Sequence, residues 1–261
     1  MATKISSTDV VAINSSESIV GVIHELSKQL PELGFFAASP VTKTSYKTVV
    51  RTALPTAGFR AINTGRTRDV GTLVARTVDC KFLDASWSAD QAAIRGVDWG
   101  DPVGEQQEAH LLAALKSVQS QIWNGTGADA NGFPGLNALF TSTAVEGFID
   151  AQGTTDDTAS SIYLIKTSPK DVCLAWGNDG EITVGEQVEQ QLTDDNGKPY
   201  MGVAQAVHGW VGLQVTNHAA VVRIGNVTAD SGKGATDDLI YAGIEEFGKR
   251  LGVDPDGIFM S

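Results

Sequence analysis

Two strand-like runs are joined by a basic segment rich in turn-forming residues, and this pattern restricts the fold more than any other feature of the sequence. The runs are TVVRTALP and TLVARTVDCKFLDASW, and the connection RTALPTAGFRAINTG, Arg51 to Gly65, contains Pro55 and Gly58. Strands joined in this way form a long β-hairpin with little core of its own. Such a two-stranded ribbon is marginally stable in isolation. The sequence therefore predicts that contact with a neighbour holds the hairpin.

Charge is distributed unevenly along the 261 residues, which carry a net charge of −12. Residues 1–100 contain 11 basic and 9 acidic residues, whereas residues 101–261 contain 8 and 22. Between Lys43 and Arg76 there are seven basic residues and one acidic residue, Asp69. This asymmetry favours docking of the basic segment on the acidic body of another copy. A solvated loop whose charge has no role is the alternative. The acidic body argues against broad nucleic-acid binding, since phosphate contacts need Lys or Arg.

Three segments have the apolar spacing of amphipathic helices. Ser15–Leu30 is a short one that Pro31 stops. Asp101–Gly125 is the clearest, because proline suits the first turn of a helix and the apolar positions keep the helical spacing. At about 1.5 Å per residue it would be about 30–35 Å long. Asp237–Leu251 is the third, with Gly252 at its C-terminal cap position.

Short strand-like runs follow the long helix and a glycine-rich turn, NGTGADANGFPGLNALF. From Ser160 onward these runs are SIYLIK, VCLAW, AVHGWVGLQV and AAVVRIGNV. Asn178–Gly180 and Asp195–Gly197 are turn signals between them. The final residues, GIFMS, begin another strand. Helices and short strands in this order predict an α+β fold.

Local motifs predict neither catalysis nor a cofactor or metal ion. The stretch DSGKGAT lacks the first glycine and the Ser or Thr of a phosphate-binding loop. None of the histidines has zinc-ligand spacing; they are His24, His110, His208 and His218. We therefore assign no catalytic residue, no cofactor and no metal ligand. The alternative is an enzyme with a composite site, in which His208 or His218 would lie in a deep pocket beside a carboxylate.

The cysteine content and the lack of targeting signals indicate the cellular setting. Cys80 and Cys173 lie far apart in apolar runs, which predicts buried free thiols and a reducing compartment. No run of 18 apolar residues is present, and the N-terminus lacks a basic-then-apolar signal. We therefore expect a protein that is neither membrane-spanning nor secreted.

The order of these elements resembles the major capsid protein of tailed bacteriophages, which has the Hong Kong phage-type capsid fold. The similar segments are VVRTALPTAGFRAINTG, QIWNGTGADANGFPGLNALF and SIYLIKTSPKDVCLAWGNDG, and together the similar stretches span most of residues 45–260. In one subgroup of phage coat proteins an R-x-x-LP run leads into F/W-R-x-x-N-x-G. The matching positions here are Arg51, Leu54, Pro55, Phe59, Arg60, Asn63 and Gly65. The order and spacing of the segments carry the resemblance more than any single motif.

The resemblance implies four parts of the chain. Residues 1–43 would be an N-terminal arm and residues 44–88 an extended hairpin loop that lies across an adjacent subunit. Residues 89–154 would form a peripheral domain with its spine helix at 101–125, and residues 155–261 an axial domain. Because chains of this family continue beyond the equivalent of GIFMS, we expect that the C-terminal part of the fold is missing.

The resemblance also implies a structural, non-enzymatic function. The protein would self-assemble as hexamers and pentamers into an icosahedral shell around double-stranded phage DNA, without sequence-specific DNA binding. Scaffolding, portal and decoration proteins would be further partners, and assembly would take place in the host cytoplasm. An encapsulin-like compartment, with the same fold around cargo enzymes, is the alternative. The basic residues of the hairpin become candidate intersubunit contacts: Lys47, Arg51, Arg60, Arg66, Arg68 and Arg76.

Overall fold

A computed structural model of the chain describes residues 30–67, 70–96, 101–141, 146–153, 159–180, 182–229 and 232–260. The predicted helix Ser15–Leu30, except its last residue, and most of the predicted N-terminal arm lie outside these ranges, as does Arg68. Within the described part, no helix is long and apolar enough to cross a bilayer.

Five α-helices lie in the described residues: α1 (Pro31–Phe35), α2 (Gln91–Arg95), α3 (Pro102–Asn124), α4 (Leu136–Leu139) and α5 (Asp237–Leu251). The two long helices, α3 and α5, confirm the predictions for Asp101–Gly125 and Asp237–Leu251. Local capping explains why both are bounded so sharply.

Helix α3 is fixed at both ends by its own sequence. The Asp101 side chain accepts hydrogen bonds from the backbone N–H groups of Val103 and Gly104, which is a standard N-cap. At the other end Gly125 takes a φ of 57°, in the left-handed region that favours glycine. Helix α5 uses the same devices: Thr236 caps its start, and Gly252 follows its end with a φ of 73°.

Fourteen strands lie in the described residues. They are β1 (Ala37–Pro40), β2 (Ser45–Ala53), β3 (Thr72–Asp79), β4 (Lys81–Asp84), β5 (Trp87–Asp90), β6 (Phe148–Asp150), β7 (Ser160–Ile165), β8 (Val172–Trp176), β9 (Ile182–Val184), β10 (Val188–Thr193), β11 (Pro199–Gln205), β12 (Val207–Val215), β13 (Val221–Val227) and β14 (Gly257–Met260). The runs SIYLIK, VCLAW, AVHGWVGLQV and AAVVRIGNV correspond to β7, β8, β12 and β13, and GIFMS contains β14, so these predictions are confirmed.

The largest sheet lies against helix α3. Its order is β1-β8-β12-β4, and β9 pairs with the first residues of β12. Strand β1 is parallel to β8, and the other pairs are antiparallel. Val118 and Ile122 of α3 share one buried core with Leu174 of β8 and Val211 of β12. This core places the long helix across the sheet.

A second sheet carries helix α5. Its order is β14-β7-β13-β6, with β6 parallel to β13. Phe247 of α5 is fully buried with Leu164 and Ile224. A Cβ at Gly243 would lie 3.0–3.1 Å from methyl groups of those same two residues, so the glycine allows the helix to approach the sheet closely.

The run TLVARTVDCKFLDASW was expected to form one long strand, and this expectation is wrong. It contains β3, β4 and the first residue of β5, and these three strands belong to three different sheets. The chain changes partner at Cys80, whose N–H donates to the carbonyl of Thr44 at 2.8 Å and whose side chain is buried beside Ala175. Packing into this small core outweighs continuation of the ribbon.

Candidate intersubunit surface

Strands β2 and β3 form the predicted hairpin, which is their own two-stranded sheet. They pair from Ser45 with Asp79 up to Ala53 with Thr72, with one irregularity after Arg51. At the end of the ladder Gly71 has a φ of 71°, and a Cβ there would lie 2.5 Å from the carbonyl oxygen of Ala53. Only glycine is compatible with this closure. The described chain beyond it, residues 54–67 and 70, forms the hairpin tip.

The root of the hairpin, at residues 45–47 and 76–80, is fixed to the body. The Tyr46 hydroxyl donates to the side-chain oxygen of Gln214 on β12. Arg76 donates from Nη1 to the carbonyl oxygens of Thr216, at 2.7 Å, and Val215, at 3.4 Å. Val78 is buried in the same small core as Cys80. The ribbon therefore leaves the body in a defined direction.

Burial at the root shifts the ionisation of the groups that hold it. It raises the pKa of the Tyr46 hydroxyl, to which Cys173 and Cys80 add smaller effects in the same direction. It lowers the pKa of the Arg76 guanidinium. A hydroxyl that keeps its proton remains a hydrogen-bond donor, so the bond to Gln214 persists well into alkaline conditions.

Three arginines of the hairpin donate to backbone carbonyl groups of the tip. Arg51 Nη1 lies 3.2 Å from the oxygen of Val70, Arg60 Nη1 lies 3.1 Å from that of Thr64, and Arg66 Nη1 lies 2.9 Å from that of Gly58. Hydrogen bonds between protein groups contribute about 0.5–1.5 kcal/mol each, and exposed ones contribute at the lower end. Together these bonds favour one shape for a segment that has no regular structure.

Large apolar side chains on the tip point into solvent. The exposed fraction is 80% for Leu54, 109% for Phe59, 89% for Ile62 and 86% for Val70. Four large apolar side chains are thus exposed within one short segment, and a concentration of exposed apolar surface is typical of sites of protein–protein contact. The sequence showed scattered apolar residues here, but only the structure shows that nothing in the described part of the chain covers them.

The structure separates the six predicted contact residues into three groups. Lys47, Arg51, Arg60 and Arg66 are exposed on the hairpin. Arg76 is half-buried, and its guanidinium binds carbonyl groups of its own chain, so its main observed role is to hold the root. Arg68 lies outside the described residues.

A second hairpin, β10–β11, carries the opposite charge; the predicted turn at Asp195–Gly197 lies between its strands, but the strands themselves were not predicted. Within the described part of the chain, strand β10 pairs with β11 alone, and β11 pairs on its other side with β5. Glu186, Glu189 and Asp195 are exposed on or beside this hairpin. Glu189 lies 3.7 Å from Arg95. The alternation of apolar and polar residues in VEQQLT is weak, which explains why no strand was predicted there.

The groups most able to support chemistry are dispersed or buried. Within the described residues, no cluster of three or more His, Cys, Asp and Glu could hold a metal ion. Cys80 and Cys173 are free and buried, and burial raises the pKa of the Cys173 thiol to about 11. Burial also lowers the pKa of His218, and the charges of Arg76 and Arg250 lower it further. The buried thiols of Cys80 and Cys173 are therefore protonated at neutral pH and react slowly.

Comparison with known structures shows the fold. The chain superposes on a structure from bacteriophage Epsilon15 with a TM-score of 0.65 and 20% identity, covering 98% of this chain and 81% of the other. The capsid of phage XM1 matches with a TM-score of 0.56 and 10% identity, covering 87% and 100%. The encapsulin complex of Synechococcus elongatus matches with a TM-score of 0.57 and 9% identity, covering 87% and 98%. A search of curated proteins gave no match.

The sequence itself decides between phage coat and encapsulin. The family model for the major capsid protein GP7 matches residues 14–246, which is most of the chain. The matched region includes the hairpin, helix α3 and strands β4 to β13. The chain therefore belongs to the major capsid protein GP7 family: it has the Hong Kong phage-type capsid fold and is a structural protein of the bacteriophage virion shell.

Proposed function

We propose that this protein forms a closed icosahedral shell of hexamers and pentamers around double-stranded phage DNA, and that the β2–β3 hairpin lies across a neighbouring subunit. The observation that carries the proposal is the contrast within the hairpin. Its root is fixed to the body by buried contacts, whereas its tip exposes Leu54, Phe59 and Ile62 almost completely. The ribbon therefore has a fixed direction and an exposed apolar tip that can be buried against a neighbouring subunit.

Apolar burial supplies most of the energy of this contact. Burying a side chain the size of leucine or phenylalanine contributes about 1.5–3 kcal/mol. The charges add less, because an exposed ion pair contributes about 0–1 kcal/mol. Arg60 and Arg66 therefore set the register of the tip on an acidic neighbour more than they set its affinity. Exposed carboxylates such as Glu186 and Asp195 have the matching charge.

The division of the chain into parts follows from the same proposal. Residues 1–43 form the N-terminal arm, residues 44–88 the hairpin loop, residues 89–154 the peripheral domain and residues 155–261 the axial domain. The ribbon β2–β3 supports the hairpin loop, and the separate sheet under α5 supports an axial domain. Strands β8 and β12 pack against α3, so the later segment also contributes to the sheet beneath the spine helix.

The remaining partners follow from the function of a shell. The protein encloses DNA without reading its sequence, because the body is acidic and phosphate contacts require cations. Assembly takes place in the host cytoplasm, with scaffolding, portal and decoration proteins as further partners. The protein catalyses no reaction. An encapsulin-like role has support from the shared fold alone.

Charge reversal tests the docking proposal. We expect the double variant Arg60→Glu, Arg66→Glu to remain folded, because both side chains are exposed, and to give far fewer closed particles in negative-stain electron microscopy. The matched control is Lys170→Glu, Lys249→Glu, which makes the same change of charge at exposed positions outside the hairpin. Equal particle yield from the two double variants would contradict the docking role of the tip arginines.

A further inference from the structure

A groove of about 500 Å³ lies between the root of the hairpin and the end of helix α5. One wall comes from the ribbon and contains Val50, Arg51 and Arg76. The other wall comes from the body and contains Glu146, His218 and Arg250. The groove thus joins two parts of the molecule whose relative orientation determines where the hairpin tip reaches.

Two of the guanidinium groups are held in place by backbone carbonyl groups. Arg76 donates to the oxygen of Thr216 at 2.7 Å. Arg250 donates from Nη1 to the oxygen of Val221 at 3.0 Å and from Nη2 to that of His218 at 3.2 Å. Both side chains are half-buried. They are therefore oriented in advance, which lowers the entropy cost of binding a ligand.

The groove has more positive than negative charge. Of the described residues that line it, three are arginines and one, Glu146, carries a carboxylate. Among the described residues, none of the three arginines has a carboxylate oxygen within 4.0 Å. Glu146 and Glu246 act on the Arg250 charge only from farther away, and a partly buried cation without a directly paired carboxylate is unfavourable. A carboxylate bound among these three arginines would relieve this cost and would make charge-assisted hydrogen bonds with donors left over from the carbonyl contacts.

We propose that this groove binds a carboxylate-bearing segment of a second copy of this chain, and that the bound carboxylate fixes the angle between the hairpin and the body. The inference rests on the proposed function, since a shell surrounds every subunit with further copies. Charge favours a second copy over nucleic acid as the occupant, because residues 101–261 contain 22 acidic and 8 basic residues. The groove therefore acts as a clamp that sets the direction of the tip when subunits meet.

Photo-crosslinking in assembled shells tests this proposal. A short aliphatic diazirine amino acid replaces Val50 in the groove, and a second protein carries it at Tyr241, which is 69% exposed on α5 outside the groove. Shells are assembled from a mixture of ¹⁴N- and ¹⁵N-labelled subunits. From position 50 we expect cross-linked peptides that combine both isotopes and contain Asp or Glu. From position 241 we expect no enrichment of acidic peptides.

Two variants show whether the arginines are responsible. Arg51→Gln removes an exposed cation of the groove, and Arg250→Gln removes a half-buried one; each should lower the mixed-isotope cross-link at least tenfold. Lys249→Gln, which alters the neighbouring residue outside the groove, should leave it unchanged. Arg250 also holds two carbonyl groups, so Arg51→Gln remains decisive if the Arg250 variant is unstable.

The outcomes separate this inference from the proposed function. Closed shells whose cross-links from position 50 stay within one chain, or reach nucleic acid, overturn the inference alone. Failure of the unaltered protein to form particles overturns both the proposed function and the clamp that depends on it.

Discussion

We expect the substitution of Phe59 by serine to weaken assembly of the shell without destabilising the folded subunit. The Phe59 side chain is fully exposed, so the isolated subunit should lose almost no stability when it is removed. If the ring is buried on a neighbour, each contact loses about 1.5–3 kcal/mol of apolar burial. Since 1.4 kcal/mol is a factor of ten, the association constant for one contact should fall about 10- to 150-fold.

The assay is the protein concentration above which shells form, followed by light scattering and size-exclusion chromatography, with thermal unfolding of the subunit measured in parallel. Tyr241→Ser is the matched control, because it removes an exposed aromatic side chain from α5. We expect a higher threshold for the Phe59 variant and no change for the control. An unchanged threshold for Phe59→Ser would refute the reasoning that the tip is an apolar anchor, and a large fall in subunit stability would show that Phe59 belongs to the fold.

Three further predictions concern the elements that support this surface. Gly71→Ala should lower shell yield with little effect on subunit unfolding, because the added Cβ meets the carbonyl of Ala53 at the end of a ribbon outside the main core; particle counts and denaturant curves check this. Ile122→Ala should cost about 2–5 kcal/mol in urea unfolding, because the side chain is fully buried under helix α3. Cys173 is fully buried and burial raises its pKa to about 11, so it should react with a thiol reagent at pH 8 only after unfolding.

The sequence predicted the hairpin correctly because its signals are local. Pro55 and Gly58 interrupt a basic segment, and strand-forming residues flank it. The same holds for helix α3, whose start at Asp101 and end at Gly125 are set by groups within a few residues. Capping and periodicity act over one or two turns of chain, so they can be read without knowledge of the partners.

The candidate surface was predicted in part. Its basic residues were visible as a cluster of charge, but the role of each depends on where the ribbon meets the body. Arg76 belongs to the same run as the exposed arginines, yet it binds carbonyl groups 139 and 140 residues away. The exposed apolar residues of the tip could not be distinguished from core residues by sequence, because exposure is a property of the packed chain.

The sequence by itself determined the long helix, the ribbon with its basic tip and, through the order of these elements, membership of a capsid family. Tertiary structure alone decided that one apparent strand would divide into β3 and β4 before β5 begins, and that β11 would pair with β5. The physical reason is distance along the chain. Helix ends and turns are stabilised by neighbours in sequence, whereas β5 pairs with a strand more than 100 residues later, and no local pattern specifies that partner.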